Sequence, residues 1–205
     1  MIRFAFVNNQ VLQIYRQLPE IRFPLDPKDV IALFSNCRYM SYKRFAAINH
    51  CSIDEVIAIC ESRSGCTHFE TASGRYLILC NDVTTRDNNQ GRQRWTCGHE
   101  IGHIVCDHHH IATSAKLAEN SILSYSTYPD LESEADYFAA TLLAPFPLFR
   151  VLDIRQAEDV KRVFGLSTEA SINQMEQYER WKRSRRKTAW ENDMIRLYLS
   201  HYIEL

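Results

Sequence analysis

Two histidines four residues apart, in His99-Glu100-Ile101-Gly102-His103, constrain this chain more than any other feature. On an α-helix that spacing is about one turn, so both imidazoles project to one side at a separation that one ion bridges. Zinc suits such donors, because it takes imidazole nitrogen and carboxylate oxygen in a tetrahedral site and, when catalytic, keeps one position for water. Two protein ligands do not complete that site. The fold must therefore carry a third from a distant segment to the side of this helix. Glu100 is the expected catalytic base, taking a proton from water as it attacks a carbonyl. Paired histidines also occur on plain solvated helix faces, but Gly98 and Gly102 argue for a helix packed closely against another backbone.

The third ligand is sought in Glu132-Ser133-Glu134-Ala135-Asp136-Tyr137-Phe138-Ala139-Ala140. Glu132 and Asp136 share one helix face, which lets Glu132 bind the metal while Asp136 accepts a hydrogen bond from a ligand histidine and fixes its tautomer. Ala135, Phe138, Ala139 and Leu142 form the stripe that packs this helix on the core. Glu134, roughly 200° round the helix from Glu132, is expected to be solvated.

A rival ligand is His109, ten residues after His99, the spacing of H-E-x-x-H-x-x-G-x-x-H. That pattern needs a glycine where this chain has Cys106, and the Met-turn is missing. His108-His109-His110 is accordingly read as a polar loop after the helix, and Cys106 as a packing residue. Tyr125 and Tyr128, in the loop before the carboxylate helix, are weak candidates for donors to the oxyanion of the transition state.

Around these motifs the pattern is mixed. Residues 1 to 27 show no clear element, and Pro19, Pro24 and Pro27 break up any long helix there. Helical periodicity begins near Asp29. Ser52-Ile53-Asp54-Glu55 has capping-box spacing and starts a helix, so that segment 41 to 62 imitates a helix-turn-helix. Cys66 to Thr71 and Arg75 to Asn81 flank Ala72-Ser73-Gly74 as a hairpin, and the second strand, almost wholly apolar, belongs inside a sheet covered on both faces. A helix of about 15 residues then carries the histidines, a long loop covers 108 to 129, and a helix runs from about Pro129-Asp130 to Pro145. Helical segments are expected at about 156 to 164, 168 to 184 and 188 to 203. The expected organisation is a peptidase domain over 1–150 and a helical extension over 151–205 packed on it.

Lys+Arg 24 against Asp+Glu 25 gives little general attraction to phosphates or acidic surfaces. The seven cysteines are odd in number, form no C-x-x-C pair and mostly have apolar neighbours, which fits buried thiols in a reducing compartment. No segment reads as a secretory signal or approaches the roughly 18 apolar residues of a membrane span. A soluble cytoplasmic protein, with no membrane partner, is expected.

Arg92-Gln93-Arg94-Trp95-Thr96-Cys97-Gly98 leading into the histidine motif, together with ESEADYFAATLLAP over 132–145, resembles the ImmA/IrrE family of metallopeptidases. YLILCND before the loop and Val163-Phe164-Gly165-Leu166-Ser167-Thr168-Glu169-Ala170 are similar to its flanking segments. The resemblance implies a zincin-like α+β fold with a small sheet, an active-site helix and a second, ligand-bearing helix. It also implies metal ligands His99, His103 and Glu132, with Glu100 as base. The family commonly has Asn where this chain has Asp136 and Ala where it has Gly98; the first change keeps an acceptor. Members typically relieve or cleave a helix-turn-helix repressor encoded beside them on prophages and other mobile elements, so a repressor is the expected protein substrate. Two other functions compete: a metal-bound antirepressor that grips without cutting, and a DNA-binding regulator. The last would use a helix-turn-helix at 156 to 184 and the basic cluster Arg180, Lys182, Arg183, Arg185, Arg186 and Lys187. Direct nucleic-acid binding is not the expectation, since such a run is usually a solvated helix face.

Overall fold

The computed structural model describes residues 1–111, 128–184 and 188–203. Its centre is a three-stranded sheet in the order β1-β3-β2, built from β1 (Cys37–Ser41), β2 (Gly65–Glu70) and β3 (Arg75–Cys80). β2 and β3 are the expected hairpin, antiparallel from Gly65 opposite Cys80 to Glu70 opposite Arg75. The apolar strand β3 takes the middle position, where Ile78 is fully buried. β1 adds a parallel strand on its other side, from Cys37 opposite Tyr76 to Ser41 opposite Cys80. Sequence alone does not reveal β1: it is five residues long, has no alternation of burial, and is held by partners far along the chain.

Helices surround this sheet. α1 (Phe4–Gln17) corrects the reading of the first 27 residues as broken, because all three prolines there follow the helix. Val7, Val11, Ile14, Tyr15 and then Leu18 bury one face at 3.6-residue spacing, and Pro27 opens α2 (Pro27–Ile31) at its first turn, where the lost N–H is harmless. α3 (Tyr42–Asn49) and α4 (Ile53–Cys60) form the helix pair foreseen at 41 to 62. Ser52 caps α4 in a true capping box: its hydroxyl accepts from Glu55 N at 3.2 Å, and the Glu55 carboxylate accepts from Ser52 N at 2.7 Å. Tyr42, Ala46, Val56 and Leu79 join this pair to the sheet in a small core of their own.

The main core lies on the other side of the sheet, around α5 (Gln90–Val105) and α6 (Tyr128–Leu143). These helices approach closely because their facing residues are small. A methyl group on Gly102 would sit 3.1 Å from both Cα and the carbonyl oxygen of Ala135, and one on Gly98 would sit 3.0 Å from Leu143 Cδ1. Ala135, Phe138, Ala139 and Leu142 are fully buried, as the stripe on α6 predicts. A short 3-10 turn (Phe146–Leu148) leads to α7 (Ala157–Phe164), α8 (Thr168–Arg183) and α9 (Ala189–Ile203), close to the expected bounds. Tyr178, Trp190, Met194 and Tyr198 enter the same apolar cluster as Val7 and Val11. Among the described residues no helix is long and apolar enough to cross a membrane, and the seven cysteines are free thiols.

Candidate metal centre

α5 begins where the Asn89 side chain accepts from Arg92 N at 3.1 Å. It buries Cys97, Gly98, Ile101 and Gly102 and keeps His99 and His103 at the edge of the buried face. α6 crosses beside it and brings Glu132 to the same edge. The Nε2 atoms of His99 and His103 are 3.0 Å apart. Glu132 Oε2 lies 3.2 Å from His99 Nε2, and Glu132 Oε1 lies 3.5 Å from His103 Nε2. Ligands about 2.0–2.1 Å from a tetrahedral ion are separated from one another by about 3.3 Å. The observed separations lie near that edge, the two Glu132 distances being to different carboxylate oxygens, so the three residues converge as a small cation requires. Glu132 is held well below the ordinary carboxylate range by His103 and His99. Burial opposes charge on His99, but Asp136 and Glu132 outweigh it and raise its pKa to about 10.

His99 Nδ1 meets Asp136 Oδ1 at 2.9 Å, while its Nε2 faces Glu132 and His103. Glu100, beside the histidines on α5, lines the same cleft, is 8% exposed, and accepts a hydrogen bond from Thr67 Oγ1 at 2.8 Å. Burial raises its pKa, against the pull of Thr67 and the two histidines. Thr67 is on β2, and nothing in its strand context singles it out beforehand. The centre opens into a cleft of about 770 Å³, with Gly65, Thr67, Trp95, Leu131 and Asn173 among its walls.

Two sequence expectations are overturned beside the centre. Glu134 is not solvated; it is 2% exposed, bonded to Arg3 Nε at 3.1 Å and to His108 Nε2 at 3.0 Å. Nor does His108 belong to a polar loop, since it is 3% exposed. Asp107 takes a left-handed conformation (φ 62°) after α5, which turns the chain back under the helix and starts a new helical turn at His108. Arg3, some hundred residues away in sequence, carries no local signal for this role. His109 rests against Phe69 and Tyr76, with ring centroids 6.2 and 5.6 Å away. Cys106 is fully buried as expected, and burial pushes its thiol up to about 12. Tyr128 is the first residue of α6 instead of part of the preceding loop, and Tyr125 lies outside the described residues.

A small sheet, a histidine-bearing helix packed across it and a second helix delivering an acid make up a zincin-like α+β metallopeptidase fold. The family model described as the IrrE N-terminal-like domain, of the M78 peptidases, matches residues 68–175, more than half of the 205-residue chain. The chain belongs to this ImmA/IrrE family of metallopeptidases. No curated protein matches it.

Proposed function

We propose that the protein is a zinc-dependent endopeptidase of the HEXXH type, with His99, His103 and Glu132 as ligands and Glu100 as catalytic base. The observation that carries this reading is the convergence of the His99 and His103 Nε2 atoms and the Glu132 carboxylate, with contacts of 3.0–3.5 Å among them, beside a buried carboxylate from the histidine helix that lines the same cleft. Two imidazoles and one carboxylate are the donor set that zinc takes with a position to spare, and this favours zinc over harder, all-oxygen cations. When bound, zinc supplies a more acidic water and polarises the scissile carbonyl.

The remaining chemistry is the chain's own. Glu100 removes the proton from the attacking water and returns it to the departing amine, a role worth about 10²–10⁴-fold in rate. Its raised pKa suits both halves of that transfer. Thr67 holds one carboxylate oxygen, leaving the other to face the reacting centre. Asp136 keeps His99 in the tautomer that offers Nε2. β2 is an edge strand bordering the cleft, so an extended substrate segment is proposed to lie along it as an added strand.

The proposed substrate is a helix-turn-helix repressor of a prophage or mobile element, met in the cytoplasm; kinship to the family supports it. Direct binding to nucleic acid is the weaker reading, because Arg180 and Lys182 are paired along α8 with Glu176 at 3.7 Å and Glu179 at 3.0 Å. The test is incubation with the neighbouring repressor, with and without a chelator, and mass spectrometry of the products. Discrete fragments that vanish with the chelator are expected; an intact repressor under both conditions overturns the repressor substrate. Glu100→Gln separates cutting from gripping. A peptidase loses cleavage and keeps its zinc, whereas a non-proteolytic antirepressor keeps its effect on the repressor.

A further inference from the structure

The two proposed imidazole ligands are backed differently. His99 Nδ1 meets a carboxylate directly, and that carboxylate, Asp136, is 58% exposed. His103 Nδ1 instead meets a second imidazole, His108 Nδ1, at 3.0 Å. His108 Nε2 meets Glu134 Oε2 at 3.0 Å, and Glu134 is gripped by the Arg3 guanidinium through Nη2 at 2.5 Å and Nε at 3.1 Å. Arg3 also donates from its backbone N to Glu134 at 2.6 Å and from Nη2 to the carbonyl of Cys106 at 2.7 Å. One residue near the start of the chain thus ties the end of α5 to α6.

Proton counting gives this chain of contacts one direction. A neutral imidazole that offers Nε2 to a cation carries its proton on Nδ1, so His103 must donate and His108 Nδ1 must accept. The His108 proton then sits on Nε2, where the acceptor is Glu134, a carboxylate already compensated by Arg3. Every donor in the sequence has an acceptor, and the His108 and Glu134 side chains are both buried, so water does not substitute for a missing member. Buried networks of this kind are costly when half satisfied and rigid when complete.

We propose that His108, Glu134 and Arg3 form a positioning relay that fixes the tautomer and ring orientation of His103 for metal binding. The relay rests on the reading of His99, His103 and Glu132 as the ligand set. Cys106, His108 and Glu134 also stand close enough together to hold a cation of their own. The Arg3 guanidinium on Glu134 and the His103 contact on His108 Nδ1 already occupy that triad with a positive charge and a ligand imidazole.

The test measures Zn2+ affinity of the full-length protein by competition with a chromophoric chelator, and the visible absorption bands of the Co2+-substituted protein. His108→Leu removes the acceptor and is expected to weaken Zn2+ binding by about 10–100-fold, the usual scale for partners of ligand histidines. His108→Gln restores an acceptor oxygen and should recover part of the loss. Glu134→Gln and Arg3→Gln are expected to weaken binding by about tenfold and to shift the Co2+ bands. Arg3 is 41% exposed, so Arg3→Gln carries the test if the buried substitutions fail to fold. Folded variants that bind Zn2+ with wild-type affinity and show unchanged Co2+ bands overturn the relay, even if they melt earlier. A wild-type chain that binds neither metal overturns the zinc reading itself, which keeps the two failures apart.

Discussion

Gly98 and Gly102 face the same neighbour yet should respond oppositely to alanine. Both lie inside α5, where replacing Gly by Ala gains about 0.8–1.0 kcal/mol of helix propensity. At Gly98 the new methyl meets Leu143 Cδ1 at 3.0 Å and Cγ at 3.3 Å, the outer atoms of a side chain that can shift within its rotamer well. Such an adjustment costs about 0.5–1.5 kcal/mol, so Gly98→Ala should fall within about 0.5 kcal/mol of the parent. At Gly102 the methyl meets Cα and the carbonyl oxygen of Ala135 at 3.1 Å, and backbone yields only if α6 moves as a body. Overpacking of this sort costs about 1–3 kcal/mol, leaving Gly102→Ala less stable by up to about 2 kcal/mol after the propensity gain. A few tenths of an ångström of separation between α5 and α6 also lengthens the Glu132 distances to both histidines, so metal affinity should fall with stability. Urea denaturation of the metal-free proteins and chelator competition measure the two quantities. Equal stability of the two variants, or an unchanged metal affinity in a destabilised Gly102→Ala, would refute the reasoning.

Metal-free protein should lose stability as pH rises from about 6.5 through about 10, since His99 has its pKa raised in the fold and its charged form is favoured there. That contribution is complete below the unfolded value, so thermal melts from pH 6 to 10.5 should decline over this window, and a flat profile would contradict it. Because the ion must displace that proton, calorimetry in buffers of differing ionisation enthalpy should detect proton release on zinc binding. Thr67→Val should keep zinc but lower the cleavage rate and move its pH profile, because one Glu100 oxygen loses its donor; an unaltered profile would leave Thr67 as packing. Ser52→Ala should cost about 1 kcal/mol by removing the cap of α4, with metal affinity unchanged, and serves as a control for stability effects remote from the centre.

What the sequence made legible follows from how local each signal is. The helix bearing His99 and His103, the capping box at Ser52 and the hairpin around Gly74 all rest on spacings within a few residues, and the structure has them at nearly the expected bounds. The shared face of Glu132 and Asp136 on α6 is equally local, and it places both acids beside the histidines. Strand β1 is invisible for the opposite reason, since its pairing with β3 spans about forty residues. Glu134 shows the limit most clearly. Its angle on α6 correctly separates it from Glu132, but an angle does not say what lies on that side, and what lies there is Arg3 on one flank and His108 on the other. The first helix was obscured by prolines that in fact begin two residues after it ends.

Helix α1 sets a practical boundary for anyone dissecting this protein. Tyr15 donates its hydroxyl to the Leu142 carbonyl at 2.6 Å, and Tyr137 donates to Asn8 at 2.8 Å, so α6 is clasped from a segment that precedes the family-matched residues 68–175. A fragment trimmed to that match would expose the flank of α6 to water and remove Tyr15 and Asn8, its two hydrogen-bond partners there. Expression trials of shortened versions should therefore retain the opening helix.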